Sequence, residues 1–390
     1  MPVPSGLADA VVWLEPMQAA FAVRMAASGG WRVASAGFPR SVLGSDKARE
    51  AASLLGIEAP IQDLRHTLAT TEARIFVVLS AVSEEGDRPG AVAPLDDPQV
   101  MSTCRTRGID VVTLEPSPGT LLDRAASSIA GGGGAAGAGT VGGSIVRQAP
   151  MWCRSALFTQ VVEVLSVIGK PRCVAISFRC GPGEGSLAAR LVDACAALVS
   201  LPGGAGGVPE IIDAAAVTPR GSAGTGVHLA LPDRLRMLRG DLTANLRMPG
   251  GVAASLTLSD GAGPWERRVR IVGELGTIDA TDASVHVTDP SGVVLDAEAP
   301  ASRERFGTLA RAGGLWGPGG PGERVSLGMP GSDAATIAGL HARMELDRRG
   351  PAEPIDWAGV LATAEAALLS ARTGQNESPA TLLRMAGVPG

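Results

Sequence analysis

The residues nearest the N-terminus with chemical content are Trp13, Glu15 and Gln18, within residues 10–27, AVVWLEPMQAAFAVRMAA. This stretch reads as a buried strand, a tight turn and an Ala-rich helix. In a dinucleotide-binding unit such a turn holds a pyrophosphate. It needs glycines there, because the backbone must turn sharply and let a phosphate approach the helix N-terminus. Here the three positions hold an indole, a carboxylate and an amide. The carboxylate would face two phosphate charges. An ordinary strand-turn-helix with no nucleotide role is the other reading. At the end of the next strand, residues 31–37, an acidic residue would take ribose hydroxyls. Gly37 and Phe38 stand there instead.

The other reactive side chains are scattered. His66 lies on a polar helical turn, His228 at a strand start, His286 on a strand that reads as exposed, and His341 on a C-terminal helix. None has a neighbour in sequence that would orient it as a base. The five cysteines, Cys104, Cys153, Cys173, Cys180 and Cys195, are odd in number and form no C-x-x-C pair. Free buried thiols are expected, with no disulfide framework and no structural zinc. No metal-spaced cluster of His, Cys, Asp and Glu occurs. In Met151-Trp152-Cys153-Arg154, Arg154 could meet an anionic ligand in a cleft, or Trp152 could simply anchor the loop.

The elements that would position these residues fall into two textures. At 390 residues with 45% hydrophobic content, two domains are expected. The net charge is −5, with no long basic block, which argues against nucleic acid or an anionic membrane as partner. No leader and no apolar run of membrane-spanning length is visible, so a cytoplasmic protein is expected. The strand 31–37 and the apolar runs 74–80 and 109–114 alternate with helices over 47–56, capped by Ser45-Asp46, and about 120–129, the pattern of a doubly wound parallel sheet. Residues 131–143, GGGGAAGAGTVGG, read as a linker between a domain of residues 1–130 and one of residues 144–390. Beyond it, helices at 154–168 and 186–201 flank a strand at 173–179. Period-2 runs follow at 226–231, 242–248, 252–258, 267–272, 277–280, 285–288 and 293–296, with turns between them. They predict an antiparallel meander, and two helices, 333–349 and 356–372, close the chain.

The segments VRIVGELGTIDATDASVHVTDPSG (269–292), EAALLSARTGQNESP (365–379) and AREAASLLGIEAPIQDLRHTLA (48–69), with the first strand-turn-helix, resemble the Gfo/Idh/MocA oxidoreductases. The resemblance runs over nearly the whole chain. It implies an N-terminal Rossmann-like domain and a C-terminal α+β domain with a large, mostly antiparallel open sheet. It also implies NAD or NADP as cofactor, and hydride transfer on a sugar-like alcohol, if the family's function is retained.

Carried over residue by residue, that function fails repeatedly. The family's glycine turn maps to Trp13, Glu15 and Gln18, and its ribose acid to Gly37. Its glutamate-lysine-proline motif reads Leu114-Glu115-Pro116, so a cation donor has become an anionic acceptor. Its aspartate and histidine positions fall at Ala189 and Asp193 in GSLAARLVDACAAL. A non-catalytic binding or assembly subunit is therefore expected, with no cofactor, and with no catalytic residue left at Glu115, Ala189 or Asp193. The alternative is an active NAD(P)-dependent sugar or polyol dehydrogenase with displaced catalytic groups. A third reading pairs Glu115 with Asp193 for carbohydrate hydrolysis. The cleft would be bordered by Glu115, Asp193 and Arg154. With two carboxylates and no lysine it would suit a neutral polyol, a sugar or a cation. Trp13 would fill the volume of the cofactor phosphates. The open sheet, with Leu246, Met248, Leu256 and Leu258 along it, would seat a second copy or an intact relative if its outer face were also apolar.

Overall fold

The computed structural model describes residues 7–80, 92–117, 119–121, 146–218, 231–295, 334–347 and 355–387. The first domain is built on five parallel strands in the order β2-β1-β3-β4-β5: β1 Ala8–Trp13, β2 Trp31–Gly37, β3 Ile75–Val78, β4 Asp110–Thr113 and β5 Val146–Gln148. The runs on the central strands are continuous because both sheet faces are covered. Helices α1 (Ala19–Gly29), α2 (Asp46–Leu55), α3 (Leu64–Thr70) and α4 (Pro98–Arg107) supply that cover. Ser45, Asp63 and Asp97 cap the last three of these helices by accepting backbone N–H bonds. The strand order switches sides at β1, with β2 added on one side and β3 on the other. The C-terminal ends of β1 and β3 therefore flank the crevice where ligands of such sheets bind.

The second domain carries eight strands in the order β13-β12-β11-β10-β6-β9-β8-β7. They are β6 Pro171–Arg179, β7 Ile211–Val217, β8 Asp241–Arg247, β9 Ala253–Ser259, β10 Glu266–Gly273, β11 Thr277–Thr281, β12 Val285–Thr288 and β13 Val294–Leu295. All pairings are antiparallel except β6 with β9. Four more helices belong to this half: α5 Ala156–Val164, α6 Leu187–Ser200, α8 Trp357–Thr373 and α9 Pro379–Met385. Helices α6 and α8 lie on one sheet face. Residues Leu187–Leu198 of α6 are all buried, including the charged Arg190 and Asp193 in a helix that is otherwise apolar over this span.

Three features differ from the expectation. Strand β5 completes the first sheet beside β4, so Val146–Gln148 belong there and not to the second domain. Helix α7, Ala334–Asp347, crosses back to lie along α1. A Cβ at Gly339 would come within 2.3 Å of the Met25 carbonyl, and only glycine permits that approach. Strand β7 was unmarked by periodicity. The supposed helix over 120–129, apart from its first residues, the 131–143 stretch and most of the 226–231 run lie outside the described residues.

The outer face of the large sheet is polar. Leu246, Met248, Leu256 and Leu258 are all buried, and the three leucines face the helices. Thr243, Asn245, Thr257, Arg268 and Arg270 point outward. Ion pairs Arg268–Asp279, Arg179–Glu266 and Arg247–Glu210 bridge strands or a strand end there. The condition for an apolar interface is therefore not met. Among the described residues, no helix is long and apolar enough to cross a membrane.

Candidate functional site

Strand alternation decides the fate of Trp13. Ala10, Val12 and Leu14 face α1, whereas Val11 and Trp13 face α3 and α4. The indole is buried among Ile61, Leu64 and Phe76 and lies on Gly37, where a Cβ would sit 2.7 Å from the ring. Trp13 is thus a core residue and does not project into the phosphate volume, and Gly37 is small to admit it. The crevice is filled by other means. Pro16–Gln18 form a 3-10 turn. The Glu15 backbone N–H donates to Gln18 Oε1 at 2.9 Å, and Ser80 Oγ donates to Glu15 Oε1 at 3.0 Å. The buried Gln18 amide donates across the crevice to the Leu79 carbonyl, at the end of β3, at 2.9 Å. It also reaches the carbonyl of Gly183 in the second domain, at 3.5 Å. Gly183 lies on this turn, since a Cβ there would be 3.3 Å from the Met17 carbonyl.

Glu115 follows β4 and is buried. Ser186 Oγ donates to its Oε2 at 2.5 Å while accepting the Ala189 N–H at 3.0 Å as the N-cap of α6. Burial pushes the Glu115 carboxyl above its ordinary range, opposed by Arg239, the Ser186 bond, Arg236 and Arg190. Arg236 also donates to the Pro116 carbonyl at 2.7 Å. Ala189 is buried and offers no proton chemistry.

Asp193 stands seven residues after Ser186 on the same helix, which separates them by about 10 Å. It does not meet Glu115. Its Oδ1 accepts the Trp152 N–H at 2.6 Å, and its Oδ2 accepts Arg267 Nη1 at 3.0 Å. Arg267 also holds Asp282, at 2.6 Å, and Trp265 Nε1 donates to the same carboxylate at 2.9 Å. Both Asp193 oxygens are committed to the fold, so the paired-carboxylate reading has no geometric basis. Burial pushes Asp193 up against the pull of Arg267, and the two carboxylates beside Arg267 hold its guanidinium protonated. Arg154 is likewise taken, by Glu345 of α7 at 2.8 Å.

Sequence reasoning missed Arg190, Trp265, Arg267 and Asp282. Arg190 carried a signal: with Asp193 it is one of two charged residues in a helix that is otherwise almost wholly apolar, and such a residue is rarely buried without a partner or a role. Its guanidinium lies 4.2 Å over the Trp265 ring. With Arg190, Arg236, Arg239 and Arg267 present, the cleft is not the anionic one expected from Glu115 and Asp193 alone. His286 is exposed on β12 and His66 lies on α3. His341, partly exposed on α7, is pushed down to about 3 by burial and by Arg267. His228 lies outside the described residues. The cysteines are free, and no metal-holding group occurs among the described residues. Burial pushes Cys104 and Cys153 up to about 12 and Cys180 up to about 11, so none is a ready nucleophile.

No protein-family model and no curated protein matches the sequence. Solved structures do. An oxidoreductase from Agrobacterium radiobacter, in complex with NAD+, L-tartaric acid and magnesium, aligns over 97% of this chain and 100% of its own at 16% identity, with a TM-score of 0.55. A levoglucosan dehydrogenase in complex with NADH and L-sorbose aligns over 96% and 98% at 15% identity and 0.56. The myo-inositol 2-dehydrogenase of Lactobacillus plantarum aligns over 96% and 99% at 14% identity and 0.55. The chain has their two-domain fold. This is the architecture that the resemblance to Gfo/Idh/MocA oxidoreductases implied, with a five-stranded parallel sheet and a larger mixed one.

Proposed function

We propose that this chain is a non-catalytic member of that oxidoreductase architecture, a binding or assembly subunit whose cofactor crevice is closed by protein. The observation that carries this reading is Gln18, whose buried amide spans the crevice to Leu79 and touches the second domain at Gly183. A dinucleotide's pyrophosphate needs that space and free N–H groups at the start of the helix. The residues present do not fit it. A glutamine side chain and a loop stand in the way, and the Glu15 carboxylate beside the turn repels phosphate. The family's lysine position is Glu115, and the positions of its acid-base pair are Ala189 and the ion-paired Asp193.

Calorimetric titration with NADH and NADPH tests this. No binding is expected, and low-micromolar affinity for either would overturn it. The second reading, an active NAD(P)-dependent sugar or polyol dehydrogenase, draws on the NAD(H)-bound neighbours in this fold. It requires reduced-nicotinamide absorbance in protein purified without added nucleotide, or turnover when nucleotide and polyol are supplied. We also propose that the open face of the large sheet seats another subunit, a second copy or an intact relative. Such an interface would be polar and ion-paired.

A further inference from the structure

At the end of the large sheet remote from the crevice, a groove of about 420 Å³ opens over three neighbouring strand ends, the end of β10 and the starts of β6 and β9. Strand β6 runs from this groove, Pro171 to Arg179, toward the loop where Gly183 meets Gln18, so groove and crevice lie roughly 25–30 Å apart. The floor is apolar, with Pro171 and Val252 buried. The rim carries three exposed charges: Glu274 after β10, and Lys170 and Arg172 at the start of β6.

The backbone sets these charges in place. The Glu274 N–H donates to the Lys170 carbonyl at 3.1 Å and the Leu275 N–H to the Ile168 carbonyl at 2.8 Å, which ties the segment bearing the acid to the one bearing the bases. The remaining wall is the Pro249-Gly250-Gly251 turn, closed by the Gly251 N–H on the Met248 carbonyl at 3.2 Å. Gly250 and Gly251 have φ of 78° and 81°, and a Cβ on either would meet nothing within 4 Å. Glycine serves the turn there and leaves that wall as bare backbone. Elsewhere on this sheet opposite charges pair, as Arg179–Glu266, Arg247–Glu210 and Arg268–Asp279 do. Among the described residues, Lys170, Arg172 and Glu274 form no ion pair, although they share one groove.

Across the groove the order is acid, then bases, then uncharged backbone, over two interstrand spacings of about 4.8 Å each. Two cations call for an anionic group, and they disfavour a diamine. The acid beside them calls for a donor, and it disfavours a dianion such as phosphate. A ligand with an ammonium at one end and a carboxylate at the other meets both demands. In a single amino acid those groups are too close to reach from one strand end to the next, whereas two extended residues span about 7 Å. At roughly 30 Å³ per water-sized group the groove holds about fourteen of them, which admits a dipeptide. We propose that this groove binds a short zwitterionic peptide, its ammonium against Glu274 and its carboxylate on Lys170 and Arg172. The site shares no residue with the crevice and does not depend on the loss of the cofactor.

The experiment is saturation-transfer NMR titration of the full chain with L-alanyl-L-alanine, its N-acetyl derivative, its C-terminal amide and inorganic phosphate. The zwitterion is expected to bind at millimolar concentration, and each blocked form about threefold or more weaker, the loss of one exposed ion pair. Glu274→Gln should erase the preference over the N-acetyl form and keep the preference over the amide. Lys170→Gln with Arg172→Gln should do the reverse. All three side chains are exposed, so the fold is expected to hold; should a variant not fold, the wild-type comparisons decide. No binding of the dipeptide at millimolar concentration, blocked forms binding as tightly as the zwitterion, or phosphate binding more tightly than the dipeptide would each overturn the proposal. So would folded variants that keep both preferences.

Discussion

Arg267 and Arg268 are neighbours on β10 that point to opposite faces of the large sheet, and they form a matched pair for measuring what burial does to an ion pair. Arg267 bonds Asp193 and Asp282 with side-chain exposures of 0%, 0% and 6%, whereas Arg268 and Asp279 are 49% and 28% exposed. Arg267→Met keeps the aliphatic stem and removes the charge, leaving two carboxylates facing each other away from water. Breaking a buried pair from one side costs about 3–5 kcal/mol, against about 0.2–1 kcal/mol for an exposed pair. Urea denaturation at pH 7, followed by both circular dichroism and tryptophan fluorescence, should place Arg267→Met several kcal/mol below Arg268→Met. The penalty should also depend on pH. Burial already pushes Asp193 up, and without Arg267 nothing nearby opposes it as strongly. A carboxyl whose folded pKa exceeds its unfolded value of about 3.9 contributes stability below that value and loses it as pH rises through the folded pKa. Arg267→Met should therefore be less destabilised near about pH 5 than near about pH 8. A penalty equal to that of Arg268→Met, or one that grows on acidification, would refute this account of the cluster.

His341 is held down near 3 in the fold and returns to about 6.5 on unfolding, so the unfolded chain binds an extra proton between those values. Stability should fall by up to about 1.4 kcal/mol per pH unit through that window on acidification, and His341→Phe should flatten the slope. Gly37→Ala should cost about 1–3 kcal/mol in the same denaturation assay, because the new methyl must displace the Trp13 ring. Multi-angle light scattering at micromolar concentration should give more than one chain per particle, and a monomer would remove the assembly proposal.

Much of the fold was legible where one short stretch carried both its own element and its neighbour. The run around Phe76 has no polar residue, and Val111 and Val112 stand side by side, because those strands are covered on both sides. The 269–292 segment holds two strands and the turn that registers them, with Ile271 opposite Ile278. Strand β7 was not legible. Ile211–Val217 has three consecutive alanines, poor strand formers, after Asp213, which break the alternation, and it is recruited by pairing with β8 and by the tail, where Ile212 bonds Glu377. The assignment of Val146–Gln148 to the first sheet depended on a partner, β4, more than thirty residues away.

The candidate site was legible only as a set of losses. Trp13 looked like an obstruction because the turn was read by residue type, whereas its direction is set by alternation along β1, which sends it into the core beneath α3. Asp193 looked like a free acid because nothing within the helix pairs with it; its partners, the Trp152 N–H and Arg267, come from distant parts of the chain. The same long-range packing that neutralises Asp193 with Arg267 leaves Arg190, three residues earlier, stacked on Trp265 with open donors. Arg190 and Arg267 thus both lie over the Trp265 ring, Arg267 with its donors shared between two aspartates and Arg190 with two buried donors that no side chain of its own helix satisfies.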